Sequence, residues 1–256
     1  MQIKVLGAHN SETADSRYIS MLIDGFLSVD AGGLTSSLTL DEQKRVSAVL
    51  LTHKHFDHIK DIPSLAINLY FNKLNTTLYT TLDTYHAIRE GLLNGSIYPD
   101  FFVTPEENPT LKYCRIEPGR NIDINGYCVL PVKMNHKEIT VGYQVTGPDE
   151  RVFFYTADTG SGLSDCWQQV SPHLLLAEVT FPNSHAAFAV KSCHLTPRML
   201  EKELTGFRKI KGYLPAVVAL HMAPDFEKQI TEELAEISGK LHTSIKIGHE
   251  GMLIQV

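Results

Sequence analysis

The stretch Leu51-Thr-His-Lys-His-Phe-Asp-His-Ile-Lys60 constrains this chain more than any other part of it. His53, His55, Asp57 and His58 place four metal-binding side chains within six residues, in the pattern His-x-His-x-Asp-His. Imidazole and carboxylate together suit zinc and other borderline divalent metals. One ion seldom takes four ligands packed so tightly along one loop, so the spacing implies two ions sharing the segment. The apolar run Val46–Leu51 leads directly into it. A strand that fixes the backbone and a loop that supplies the side chains is the usual way α/β proteins build a site.

Two ions need more ligands than this loop supplies. His136 follows the strand-like Tyr127–Asn135, Asp158 follows Val152–Thr156, and His221 follows Ala216–Leu220. Each is a ligand-type side chain at the end of an apolar run. A lone histidine in such a place is commonly a surface residue, but beside an independent two-metal cluster all three are expected ligands.

Further strand-like runs cover Ile3–Leu6, Tyr18–Ile23, Phe26–Val29, Leu78–Thr80, Lys112–Glu117, Thr140–Thr146, Arg151–Thr156 and Leu174–Val179. The first three are separated by short polar turns, which predicts hairpins and hence a partly antiparallel sheet. Helical spacing appears over Ile59–Asn72, Leu82–Leu93, Leu163–Val170, Pro197–Arg208 and Asp225–Gly239, and Ser244–Val256 closes the chain as a final strand. Ser96–Pro109, containing Tyr98, Phe101 and Phe102, reads as an irregular aromatic loop. No repeat, low-complexity tract or linker marks a boundary, so residues 1–256 are expected to form one α/β domain of two mixed sheets with helices outside.

The net charge of −6 gives no global attraction to nucleic acid or anionic membranes. No apolar stretch approaches the length that spans a bilayer, and the amino terminus reads as a strand rather than a signal peptide. Cys114, Cys128, Cys166 and Cys193 are scattered, as expected of reduced thiols in a cytoplasmic protein. Metal affinity therefore rests on histidine and aspartate. Symmetric dimers are the commonest oligomers, so a homodimer is the working expectation for assembly.

With Asp30-Ala-Gly-Gly33, Thr52-His-x-His-x-Asp-His58, His136, Thr156-Ala-Asp158 and His221 in this order, the chain resembles the metallo-β-lactamase fold superfamily over nearly its whole length. The resemblance implies a four-layer αββα sandwich with its site at one edge of the sheets. It implies that His53, His55 and His136 bind one ion, that Asp57, His58 and His221 bind the other, and that Asp158 bridges them. Zinc is the first-choice metal, with manganese or iron as alternatives. An aspartate at position 158, where many lactamases of this fold carry cysteine, favours phosphodiester or ester cleavage over β-lactam cleavage.

The segments Glu178-Val-Thr-Phe-Pro-Asn183 and Ser192-Cys-His-Leu-Thr-Pro197 further resemble the class II cyclic-nucleotide phosphodiesterases of that superfamily, although Phe56 stands where those enzymes carry leucine. A similar glutamate and histidine occur in its transfer-RNA 3′-processing ribonuclease branch. The expected catalytic set is Asp57, His194 and Glu178. A hydroxide held between two ions about 4 Å apart attacks the phosphorus. His194, oriented by Glu178, protonates the leaving alkoxide. The alternative for His194 is a packing role before a helix capped by Thr196 and Pro197. The expected substrate is a small 3′,5′-cyclic nucleotide. RNA ends or 2′,3′-cyclic phosphates, and lactones or thioesters, are the rivals. Tyr70, Phe71, Tyr98, Phe101 and Phe102 either stack a purine base or pack on the sheet. Arg17 and Lys137 are candidate phosphate contacts, and His9 and His185 either line the pocket or pack outside it.

Overall fold

The computed structural model describes residues 1–256. Its strands are β1 (Gln2–Gly7), β2 (Ser20–Ile23), β3 (Leu27–Val29), β4 (Ala48–Leu50), β5 (Thr76–Thr80), β6 (Leu111–Arg115), β7 (Ile122–Ile124), β8 (Tyr127–Lys133), β9 (Val141–Thr146), β10 (Val152–Tyr155), β11 (Leu174–Glu178), β12 (Ala216–Leu220), β13 (Ile245–Ile247) and β14 (Leu253–Gln255). They form two seven-stranded sheets, ordered β14-β1-β2-β3-β4-β5-β6 and β13-β12-β11-β10-β9-β8-β7. Each sheet has an antiparallel half and a parallel half. The first is antiparallel from β14 to β3 and parallel from β3 to β6. The second is antiparallel from β7 to β10 and parallel from β10 to β13.

Side chains alternate across a strand, and the alternation divides three cores. Leu50, Phe153, Tyr155, Leu174 and Leu176 face the space between the sheets, together with Val5, Met21, Val129 and Tyr143. Their neighbours Phe154, Leu175 and Ala177 face outward beneath Leu200, Leu204, Phe207, Ile230, Leu234 and Ile237. Those residues recur every three or four positions along the helices Pro197–Lys211 and Glu227–Leu241, giving each one apolar stripe. On the other side, Val49 and Leu51 face Ile62, Leu65, Ala66 and Leu69 of the helix Ile62–Phe71. The layers are helix, sheet, sheet, helix, as expected from the sequence.

Three features depart from the sequence reading. Ser244–Val256 is two strands in different sheets. β13 joins β12, the chain turns through Gly251 at φ 82°, and β14 pairs with β1 at Gln2↔Gln255. An unanticipated hairpin joins β7 to β8 through Asn125 and Gly126, both at positive φ, a strong two-residue turn signal. A further helix, Ala186–Ser192, lies between Glu178 and His194. No helix is long and apolar enough to cross a membrane.

His9 is buried and fastens three segments. Its Nδ1 lies 2.9 Å from Glu250 Oε1 and its Nε2 3.4 Å from Glu227 Oε2. Glu250 Oε1 also accepts the backbone N–H groups of Ala8 and Arg17. Burial lowers the His9 pKa, but the hydrogen bonds and charges of Glu250 and Glu227 outweigh it and raise the value above the usual 6.5. Burial likewise opposes ionisation of Glu250, yet His9 and the Arg17 N–H hold it at about 2. The His9 contribution is therefore complete below pH 6.5 and lost as pH rises through its elevated pKa. That of Glu250 is complete above pH 4.5 and lost as pH falls toward 2. Glu250→Ala strands these donors and is expected to cost about 1–3 kcal/mol. In urea unfolding at pH 5.5 and pH 9, the loss should be larger at pH 5.5; equal losses would refute the ion-pair account.

Candidate metal centre

The ends of β4, β8, β10 and β12 converge at one edge of the sandwich. β4 belongs to the first sheet and the other three to the second. His53 follows β4 closely. A short helix, Phe56–Ile59, starts just after His55 and carries Asp57 and His58 in its first turn. His136, Asp158 and His221 follow β8, β10 and β12. The chain must turn sharply as it leaves these strands. Asp30, Ala157 and His221, just past β3, β10 and β12, adopt φ of 55°, 54° and 65°, as does Cys193 (60°) where the helix Ala186–Ser192 ends, at about 1–3 kcal/mol for each. At His221 the turn is fastened by its N–H, which donates to Ala8 O at 2.6 Å. The Asp30-Ala-Gly-Gly33 turn passes so close to the metal loop that a Cβ on Gly32 would lie 1.9 Å from Asp57 O. Glycine is required there for space.

All seven ligands expected from the sequence come together. His53, His55, His136 and Asp158 form one group and Asp57, His58, Asp158 and His221 another, with donor atoms in each within 4.8 Å of one another. The two oxygens of Asp158 divide between the groups. Oδ2 lies 3.6 Å from His53 Nε2 and 4.0 Å from His136 Nε2, whereas Oδ1 lies 3.3 Å from His58 Nε2 and 3.2 Å from His221 Nε2. Asp57 Oδ2 is 3.1 Å from His221 Nε2 and 3.5 Å from His58 Nε2.

The far side of each imidazole is held as well. His58 Nδ1 is 2.7 Å from Asp30 Oδ2, and His53 Nδ1 is 3.0 Å from the Thr52 hydroxyl, which donates to Asp30. His136 Nδ1 meets the Cys193 carbonyl at 3.1 Å. His221 Nδ1 meets Thr180 Oγ1 at 2.8 Å, and that hydroxyl donates to Glu178 Oε2, also at 2.8 Å. With Nδ1–H donating outward, these four rings turn their Nε2 lone pairs inward. His55 instead turns Nδ1 inward, 2.9 Å from His53 Nε2.

The lone pairs therefore face carboxylate oxygens and one another. His58 Nε2, His136 Nε2 and Asp158 Oδ1 are buried without any hydrogen-bond partner. Buried acceptors without donors are costly, and a divalent cation between them satisfies the whole set. Burial, followed by neighbouring imidazolium charge, drives His53 well below its usual pKa; burial is also the leading cause of the lowered values at His55 and His136. All three are neutral, as ligands must be. Burial opposes the charge on Asp158, but the His221 and His58 rings keep it well below the usual carboxylate range. Asp158, Asp30 and Asp57 overcome burial at His58 and raise its pKa, so the surroundings of this ring favour a positive charge, which a bound cation would supply. The donors fit divalent metal ions.

His194 and Glu178 belong to the same cluster. Glu178, at the end of β11, is fully buried and accepts from Thr159 N, Leu195 N and Thr180 Oγ1. Its Oε1 lies 3.2 Å from His194 Nδ1. The His194 ring stacks on His221 with centroids 5.4 Å apart and lies 5.3 Å from His136. Burial lowers the His194 pKa, but Glu178 and more distant carboxylates raise it to about 9.

Other expectations fare differently. Phe101 is buried in the outer core, with Tyr98 and Phe102 packed against it. Tyr70 and Phe71 line a separate hollow with Leu74 and Pro105 at the far end of their helix. The packing alternative holds for the first three, and none of the five rings adjoins the metal ligands. The aromatic side chains that do lie near the site are Phe56, within the metal loop, and Phe181, whose ring is 5.9 Å from His194. His9 packs in its clamp, and His185 packs against Phe226 with ring centroids 4.5 Å apart and planes tilted by 42°. The orienting roles of Asp30, Thr52, Thr180 and the Cys193 carbonyl go beyond what the sequence pattern predicts, although all four residues stand in the quoted motifs.

Residues 20–223 match the β-lactamase superfamily domain. The chain belongs to this superfamily, a family of metal-dependent hydrolases. Among solved structures it is similar to yeast PDE1, at 18% identity and a TM-score of 0.85, covering 100% of this chain and 99% of that one. The short form of human tRNase Z aligns at 16% identity with a TM-score of 0.73, covering 100% and 99%. In sequence, ribonuclease Z of Methanopyrus kandleri is 27% identical over 103 residues, which is 40% of this chain and 32% of that protein. The chain spans a third or less of the length of the curated relatives it matches.

Metal analysis tests the arrangement. The zinc-loaded protein should carry two ions per chain, Asp158→Ala close to none, and Asp57→Ala close to one. Two tightly held ions in Asp158→Ala would contradict the shared carboxylate. Thr180→Val should weaken metal binding by roughly 10–100-fold, the usual effect of losing a ligand's orienting partner.

Proposed function

We propose that this chain, as one domain over residues 1–256, is a dinuclear metal-dependent phosphodiesterase that opens 3′,5′-cyclic nucleotides to 5′-nucleotides, with zinc as its first-choice metal. The observation that carries the reading is the His194–Glu178 pair standing beside a seven-ligand cluster made of histidine and aspartate alone. Likeness to yeast PDE1 over the length of both chains supports it.

His53, His55, His136 and Asp158 would hold one ion, and Asp57, His58, His221 and Asp158 the other. When bound, such a pair supplies Lewis acidity toward phosphoryl oxygens and a nucleophile that ionises near neutral pH. The chain's own part is positioning and proton transfer. Glu178 accepts the Nδ1 proton of His194, which leaves the Nε2 proton to be delivered to the departing 3′ oxygen. The Glu178 carboxylate fixed behind Nδ1 favours the protonated ring. The side chain of Asp57 is 19% exposed and that of Asp158 only 2%. Asp57 is thus the carboxylate open to the pocket and suited to take a proton from the attacking water.

A second reading, cleavage near RNA ends, is favoured by one surface. Arg198, Lys202, Lys209 and Lys240 line a groove beside the helix Pro197–Lys211, with Glu201 as its only acid. The partial match to ribonuclease Z points the same way.

Metal-loaded protein incubated with 3′,5′-cyclic AMP should release 5′-AMP, and a chelated control should not. Absence of turnover with two ions verified would refute the cyclic-nucleotide assignment and bring RNA ends and carboxyl esters forward. His194→Ala should retain both ions while turnover falls by roughly two to four powers of ten. Glu178→Gln should lose less, because the ring remains. Full turnover in His194→Ala would remove it from the chemistry.

A further inference from the structure

A cavity of about 160 Å³ opens against His194, lined by Asn135, Gly160, Ser161, Val190, Cys193 and Met199. Its walls come from the loops that deliver His136 and Asp158 and from the helix Ala186–Ser192. His194 is itself part of the lining, so a group joined to the oxygen that His194 protonates lies within reach of it. We propose that this cavity is a ribose subsite, in which the furanose packs on Val190 and Met199 and its 2′-hydroxyl is read by Ser161 and Asn135. The inference rests on the cyclic-nucleotide reading and adds which part of the substrate is recognised.

Size and lining both select a sugar. A closed cavity of about 150 Å³ accommodates a single benzene ring, so the space here suffices for one furanose ring. No phenyl, phenol or indole ring lines it to stack a base. Here aliphatic and sulfur surface from Val190, Met199 and Cys193 meets a carboxamide and a hydroxyl, as a furanose with C–H faces and O–H edges requires. Asn135 is fixed for the task. Its Nδ2 donates to Ser161 O at 2.6 Å, and its own carbonyl accepts from Gly160 N at 2.7 Å. The 2′ and 3′ oxygens are neighbours on the ring, so a 3′ oxygen at His194 brings the 2′-hydroxyl to this wall. The base is then left outside, toward Val190 and Phe188, which are 66% and 54% exposed.

Calorimetry on the zinc-loaded protein with 5′-AMP, 2′-deoxy-5′-AMP and inorganic phosphate tests this without requiring turnover. The ribonucleotide should bind about two- to tenfold tighter than the deoxynucleotide, the range of one neutral hydrogen bond. Ser161→Ala should abolish that preference. Val190→Trp, at an exposed position, should weaken 5′-AMP by about tenfold or more relative to phosphate, whose binding reports on the metals alone. Equal affinity for the two nucleotides in the wild type, or unchanged 5′-AMP affinity in Val190→Trp, would overturn the proposal. Failures remain separable. A protein that shows the preference but does not hydrolyse cyclic AMP faults the assigned reaction. One that hydrolyses cyclic AMP without the preference faults the subsite.

Discussion

Acceptor faces acceptor at the centre of this protein, and the surrounding structure is organised to keep it so. Asp158 offers one oxygen to each group of imidazoles, and every imidazole but His55 has its opposite nitrogen committed to a partner behind it. Without a cation that arrangement leaves buried lone pairs unsatisfied. With one, each outward hydrogen bond raises ligand basicity and fixes ring orientation. The strained backbones at Asp30, Ala157, Cys193 and His221 belong to the same economy, since each turns a strand end or loop into the position the centre needs.

The sandwich explains how loops so far apart in sequence meet. Each sheet joins an antiparallel half to a parallel half, and the ligand-bearing strand ends of the second sheet lie opposite the β4 loop of the first. The parallel strands β10, β11 and β12 place Asp158, Glu178 and His221 at successive ends of one sheet. The metal-site cluster and the His194–Glu178 pair thus rest on adjacent, hydrogen-bonded strands, and one threonine between them, Thr180, serves both His221 and Glu178.

The ligands were legible because their chemistry and spacing are unusual. Three histidines and an aspartate within six residues have few structural explanations, and a strand before each remaining ligand gave it a place. What holds the ligands was not legible. Thr180 resembles any threonine after a strand, and the Cys193 carbonyl has no side-chain signature at all. Their partners His221 and His136 are 41 and 57 residues away, so register across the fold decides the contact. The aromatic insert shows the converse difficulty. Composition reveals that Tyr98, Phe101 and Phe102 carry large rings but not that they fill the outer core. The last thirteen residues read as one extended stretch, although β13 and β14 lie in different sheets.

That last division has a consequence for the order of assembly. β14 zips onto β1 with Gln2 opposite Gln255, so the first sheet lacks its edge strand until residues about 250 positions after β1 have been synthesised. The adjoining clamp is equally late: Glu250 must arrive to gather Ala8, His9 and Arg17, and Ala8 is the residue that fastens the turn at His221. Contacts between such distant positions form slowly, because loop-closure entropy is spent before they return any stabilisation. A nascent chain therefore exposes the His53–His58 loop long before it can complete the second group of ligands. Metal captured at that stage would meet an unfinished cage, because Asp158 and His221 of the second group are still to come.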